Sequence, residues 1–182
     1  MIDFFLHLEQ LLPVLLAEYG LWIYAILFLI IFAETGFVFM FFLPGDSLLI
    51  AIGALCSSSD LIHIHTMGIL MMIAAVLGYI VNYYTGQKLG FKFAHQHSRW
   101  LKPEYMMKTN QYFLKHGGKT ILVARFIPFV RSFAPFAAGA GHISLATFMW
   151  YNVTGGLIWI GSLLAIGYGV GNTLSFMVDV LV

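Results

Sequence analysis

Residues 21–55 read LWIYAILFLIIFAETGFVFMFFLPGDSLLIAIGAL, and the length of this apolar run decides the fold class. As one α-helix it would reach roughly 50 Å at about 1.5 Å per residue, well beyond a hydrocarbon core of about 30 Å. Two full spans with a connecting turn would need more chain. Leu43-Pro44-Gly45-Asp46 resolves the mismatch, because Pro44 cannot continue a helix and Gly45 permits a turn. The reading is one membrane span followed by a shorter re-entrant helix, since broken backbone is tolerated at membrane depth where protein or water covers it.

The rest of the chain has the same character. Of its 182 residues 60% are apolar and 9% charged, against roughly 25% charged in soluble domains, and the mean hydropathy is +0.89. That leaves too little polar surface for a water-soluble globule. Residues 1–18 set Asp3, Glu9 and Glu18 among leucines and are expected to form an amphipathic interfacial helix. Met1-Ile2-Asp3 has no basic n-region and no small-residue cleavage site, so the apolar segments are expected to stay in the mature protein. The single Cys56 excludes an internal disulfide framework. Ser57-Ser58-Ser59-Asp60, with His63 and His65, reads as a polar surfacing loop, and residues 67–87 as a second span.

All nine Lys and Arg residues fall between Lys88 and Arg131, seven of them in residues 88–119. The positive-inside rule places that loop in the cytoplasm. It should hold an interfacial helix, with Pro103 at the first position, Glu104 in the first turn and Gly117-Gly118 at the stop. Met106, Met107, Asn110, Phe113 and Leu114 share the face that would lie on lipid. Residues 120–142 are apolar but contain Arg125, Pro128, Arg131 and Pro135, and a second re-entrant hairpin costs less than a span holding all four. Residues 145–168 form a third span, and the eleven residues Asn172–Val182 are too few to cross again. The fold class is therefore all-α: a single polytopic membrane domain over residues 1–182, with about three full transmembrane helices and two re-entrant hairpins entering from opposite sides.

Four charges lie inside this apolar sequence: Glu34, Asp46, Arg125 and Arg131. At about 2.5–3.5 kcal/mol per unpaired charge near the bilayer centre, the four together would cost on the order of 10 kcal/mol, the whole stability of a typical domain. They are expected to pair, to face a wet cavity, or both. Two acids in the first half and two arginines in the second allow pairing across the halves. Broken helices that meet at a charged midplane site are the architecture of secondary transporters. Plainer roles stay open: Arg125 as a snorkelling residue, Asp46 as the cap of a helix starting at Ser47 or Leu48, Glu34 at the interface. Pro44, Pro128 and Pro135 are read as helix breakers. His63/His65 and His95/His97 lack a Cys or acidic cluster and are read as boundary residues, with no metal site assigned. Gly155-Gly156, Gly161 and Gly167 point to close helix packing.

These residues carry a resemblance. The first motif reads Glu34-Thr35-Gly36 and then Leu43-Pro44-Gly45-Asp46-Ser47. The second reads Gly117-Gly118-Lys119, Arg125-Phe126-Ile127-Pro128-Phe129-Val130-Arg131, Pro135, Ala138-Gly139, Phe148, Asn152 and Trp159, with Asn82-Tyr83 and Gly86 between the two. The sequence resembles the DedA family of bacterial inner-membrane proteins, related to the VTT or SNARE-associated lipid scramblases, over nearly its whole length.

The resemblance implies a multi-pass protein of the bacterial inner membrane that moves lipid, using the proton gradient. Undecaprenyl phosphate is the favoured substrate and phospholipids such as phosphatidylethanolamine are others. Arg125 and Arg131 match the family's essential arginines, and Glu34 and Asp46 its essential membrane acids. Elementary chemistry agrees: a guanidinium suits phosphate oxygens, and a buried carboxylate can be tuned to exchange protons near neutral pH. The implied partners are a polyprenyl phosphate or phospholipid and protons. No nucleic acid, cofactor or catalytic residue is expected, and the sequence sets no oligomeric state. The chain departs from the family pattern at Tyr79, where an Asp is usual, and relatives are expected to continue past the position of Val182 with a further hydrophobic helix and a basic tail. A passive scramblase, a lipid phosphatase with His142 as nucleophile, and a nonenzymatic scaffold are the rival readings; the phosphatase lacks a second His with a supporting acid.

Overall fold

The computed structural model describes residues 21–40, 42–58, 63–95 and 118–181. The expected interfacial helix at 1–18 and the helix within the basic loop lie outside the described residues. Among the described ones every regular element is helical: α1 (Leu21–Gly36), a 3₁₀ turn (Val38–Met40), α2 (Gly45–Ser58), α3 (Ile64–His95), α4 (Lys119–Ala124), α5 (Pro128–Ala140) and α6 (Leu145–Leu181). Apolar stretches long enough to cross a bilayer run over Ile64–Leu89 and Leu145–Thr173. The described part of the first span has 16 residues, or roughly 24 Å.

Four expectations need correction. The break in the first apolar run is wider than Leu43–Asp46: α1 already stops at Gly36, and a 3₁₀ turn fills the gap before α2. The stop coincides with a backbone-close crossing, where a Cβ on Gly36 would lie 3.4 Å from the Cα of Gly78. α2 starts at Gly45 and not at Ser47 or Leu48, so Asp46 stands in its first turn, where a negative charge complements the helix dipole. Pro135 does not break α5, which runs through it for 13 residues. It removes one N–H from the helix ladder without ending it. The helices that hold the spans at 67–87 and 145–168 run on to His95 and Leu181, although Gly90, Gly169 and Gly171 weaken helix there. Pro128, by contrast, opens α5 after the extended residue Ile127, as a proline at a helix start should.

The chain divides into two compact units. The first holds Met1–Ile30, Pro44–Ile73 and Ile160–Val182. In it α2 packs on the C-terminal half of α6 through small residues. A Cβ on Gly53 would collide with the carbonyl of Leu164, one on Gly167 with the carbonyl of Ile50, and one on Gly171 with Ala54 and Ser57. Such backbone-to-backbone approach is how helices associate in lipid, where apolar burial drives little. Leu49, Ile52, Met67 and Met71 are fully buried beside this contact.

The second unit holds Ile31–Leu43 and Ala74–Trp159. Here α3 is the central post. A Cβ on its Gly86 would meet the backbone of Phe136 in α5, and one on Gly139 of α5 would meet the carbonyl of Tyr83 in α3. The Tyr83 hydroxyl donates to the Ile143 carbonyl at 2.6 Å, and its ring stacks on Phe148 of α6 with centroids 4.5 Å apart. The turn Val38–Met40, which follows the end of α1, touches α5 within this unit. Two threonine hydroxyls inside these helices bond to their own ladder: Thr35 donates to Ile31 at 2.7 Å and Thr85 to Val81 at 2.8 Å. Outward faces carry large apolar side chains, among them Trp22, Leu29, Phe39, Ile69 and Trp150. In a chain with this composition such faces meet lipid.

Candidate functional site

The second unit gathers polar groups that its helices would otherwise exclude. On α1 the buried stripe Ile31, Glu34 and Thr35 turns inward. On α3 the stripe is Gly78, Tyr79, Asn82, Tyr83 and Gly86, and on α6 it is Phe148, Asn152, Gly155 and Trp159. Each follows helical spacing, which sets its members on one face. The break between α4 and α5 supplies Arg125, the C-cap residue of α4, and Arg131, the fourth residue of α5.

Glu34, Arg125 and Arg131 are 0%, 1% and 3% exposed. Arg131 Nη2 donates to Glu34 Oε1 in a salt bridge between two residues 97 positions apart. Arg125 is held differently. Its Nη2 donates to Asn152 twice, to Oδ1 at 2.5 Å and to the main-chain carbonyl at 3.2 Å. Its guanidinium carbon lies 3.9 Å from the centre of the Tyr79 ring. Trp159 serves both cations, with the guanidinium carbons of Arg125 and Arg131 at 5.8 and 5.1 Å from its ring centre. Desolvated cation–π contacts of this kind contribute about 2 kcal/mol or more each.

Two asparagines fix this frame. Asn82 Nδ2 donates to the carbonyl of Ser132 at 2.8 Å and to that of Thr35 at 3.3 Å, tying α3 to α5 and α1. Asn152 Nδ2 donates to the Val76 carbonyl at 3.2 Å, which sets its amide so that Oδ1 faces Arg125. Arg125 Nε and Nη1, the Tyr79 hydroxyl, Asn82 Oδ1 and Ser132 Oγ are buried with no hydrogen-bond partner among the described residues. A buried polar atom left so costs about 1–3 kcal/mol. Several in one unit mark a site prepared for water or ligand.

The structure thus brings together Glu34 and Arg131 as an ion pair and places Arg125 beside Arg131 on one indole. Asp46 belongs to the first unit, partly buried at the start of α2, as do Pro44 and Gly45. Pro128 and Pro135 shape the helix that carries Arg131.

Residues 43–178 match the VTT domain. The chain is 51% identical over 175 residues to the protein DedA of Escherichia coli K12, a match covering 94% of this chain and 80% of the relative. The chain belongs to the DedA family. Another relative, the inner membrane protein YqjA of E. coli K12, is 37% identical over 158 residues, covering 85% of this chain and 70% of YqjA. An uncharacterised membrane protein of Mycobacterium leprae is 38% identical over 144 residues, 79% of this chain and 64% of its own. No solved structure matches the chain. Family, composition and apolar helices agree that this DedA-family chain is a membrane protein.

Reading the sequence for charges found Glu34, Arg125 and Arg131 but assigned no role to Asn152, Trp159 or Asn82, and Ser132 passed unnoticed. Their signal was periodic. Tyr79, Asn82 and Gly86 recur every three or four residues along α3, as do Phe148, Asn152, Gly155 and Trp159 along α6.

Proposed function

We propose that this DedA-family protein carries a phosphate-bearing lipid across the bacterial inner membrane, with undecaprenyl phosphate as the foremost candidate and anionic phospholipids as the next. One observation carries the reading. Two buried arginines share one indole at the break between α4 and α5, and one of them is closed by a carboxylate from α1. Buried guanidinium groups at a helix break in an apolar chain are suited to receive phosphate oxygens at membrane depth. The Glu34–Arg131 pair adds a means of proton coupling. Protonating Glu34 removes the negative half of the pair and so links the pair to the proton gradient. Asp46 is the second proton-exchanging acid, and the two broken segments enter the bilayer from opposite sides.

The protein acts as a carrier and not as an enzyme. His142, the imagined nucleophile of a lipid phosphatase, is exposed at the turn after α5, its N–H bonded to the carbonyl of Gly139. The test is reconstitution into liposomes holding a labelled polyprenyl phosphate or a labelled phospholipid, with and without an imposed proton gradient. Relocation of intact polyprenyl phosphate, faster with the gradient, is the expected result. Release of inorganic phosphate would move the protein to the enzymes, and equal gradient-independent movement of both lipids would make it a passive scramblase.

A further inference from the structure

The two arginines are not equivalent in charge. Glu34 and Arg131 neutralise each other. Arg125 is as deeply buried and has no ion pair among the described residues; an amide and aromatic faces surround it instead. A buried cation so placed carries an uncompensated charge in a low-dielectric site, which favours the arrival of an anion.

Its hydrogen bonding says where the anion goes. A guanidinium has five N–H groups: one on Nε and two on each Nη. Asn152 supplies two acceptors to Nη2. Nε and Nη1, with the remaining N–H groups, have no acceptor, and neither has the Tyr79 hydroxyl. Gly155 adds a steric observation. A Cβ there would lie 3.2 Å from Arg125 Cδ, 3.3 Å from Leu122 Cα and 3.5 Å from Nε, so only a glycine lets α4 and the Arg125 side chain pack this closely on α6.

We propose that Arg125 alone is the receptor for the phosphate monoester, held with Nε and Nη1 towards it by Asn152 and Tyr79 as positioning residues, while Glu34 keeps Arg131 out of that contact. This rests on the lipid-phosphate reading above and divides the work of its two arginines. It also gives Tyr79 a role: an aromatic face holds the guanidinium and leaves its charge unspent, where a carboxylate would cancel it. Asn152 acts likewise, accepting two hydrogen bonds without supplying a charge.

The experiment uses the full chain in nanodiscs of zwitterionic lipid, with arginine side chains labelled with nitrogen-15 and the Arg99, Arg125 and Arg131 resonances assigned by substitution. Dodecyl phosphate, dodecanol and inorganic phosphate are the probes. Dodecyl phosphate should move the Arg125 Nε resonance and leave that of Arg131 in place, and dodecanol should move neither. Asn152→Asp and Tyr79→Glu each bring a carboxylate to Arg125 from a different helix, and each should weaken dodecyl phosphate binding by roughly tenfold or more. Gly155→Ala should weaken it without any change of charge. A shift at Arg131 equal to that at Arg125, or wild-type affinity in a folded Asn152→Asp or Tyr79→Glu variant, overturns the division while leaving lipid transport standing. Inorganic phosphate binding as tightly as dodecyl phosphate would keep the receptor and remove the lipid. No shift at any arginine in the wild type would overturn both readings.

Discussion

Replacing Glu34, Arg131 or both by methionine tests the buried ion pair that closes the second unit. Glu34 is 0% and Arg131 3% exposed, so solvent screens neither charge. Removing one partner of such a pair leaves the other buried and uncompensated, at about 3–5 kcal/mol, whereas replacing both by apolar side chains of similar size is neutral or stabilising. Each single variant should therefore lose about 3–5 kcal/mol and the double variant close to nothing, a coupling on the order of 6–10 kcal/mol. In a chain of this size each lost kcal/mol lowers the unfolding midpoint by about 2–4 °C, so the single variants should melt roughly 6–20 °C early. The two losses should differ in kind. An orphaned carboxylate can be neutralised by a proton and an orphaned guanidinium cannot. The Arg131→Met deficit should therefore shrink as pH falls, while the Glu34→Met deficit should not. Reversible unfolding in mixed micelles, followed by far-ultraviolet circular dichroism at several pH values, measures all four species. Additive losses in the double variant, or single losses under about 1 kcal/mol, would show that the pair does not hold α1 to α5.

The close helix crossings make a matched test: Gly139→Ala, whose methyl would strike the carbonyl of Tyr83, should lose about 1–3 kcal/mol in the same unfolding assay. Gly161→Ala, with nothing within 4 Å, should be neutral or gain up to about 1 kcal/mol from helix propensity. In the liposome assay Arg131→Lys should impair lipid movement, because an ammonium cannot reproduce the planar contact with Glu34 and Trp159. Asp46→Asn should abolish the effect of the proton gradient and spare lipid binding; unchanged gradient dependence would remove Asp46 from the coupling. Cysteines at positions 98 and 58, in a Cys56→Ser background, should label from opposite sides of the membrane, with position 98 reached only from the cytoplasm.

Much of the frame was legible because membrane thickness and helix rise are fixed quantities. An apolar run of 35 residues fits neither one crossing nor two, and a run holding two arginines and two prolines does not cross as a plain helix. The details that escaped depend on contacts made across the fold. Pro44 looked like the end of the first helix, yet α1 stops at Gly36, opposite Gly78, before the proline is reached. Pro135 looked like a second break, but the loss of one N–H does not by itself stop a helix packed against α3 through Gly139. Neither effect is visible without the partner helix.

The site shows the same limit in a sharper form. Counting charges pairs two acids with two arginines, and that arithmetic suited Glu34 and Arg131. It left Arg125 open between a pair and a wet cavity, because a guanidinium is weakly hydrated and can be held by aromatic faces and a neutral amide as well as by a carboxylate. Tyr79, Trp159 and Asn152 do this without adding charge. The consequence is functional. A cation neutralised by its own protein has little left to offer a ligand, whereas one stabilised by quadrupoles and a single amide keeps its charge for whatever anion arrives. An aromatic at position 79 is therefore no gap in the electrostatics of the site. It is the feature that separates the work of Arg125 from that of Arg131.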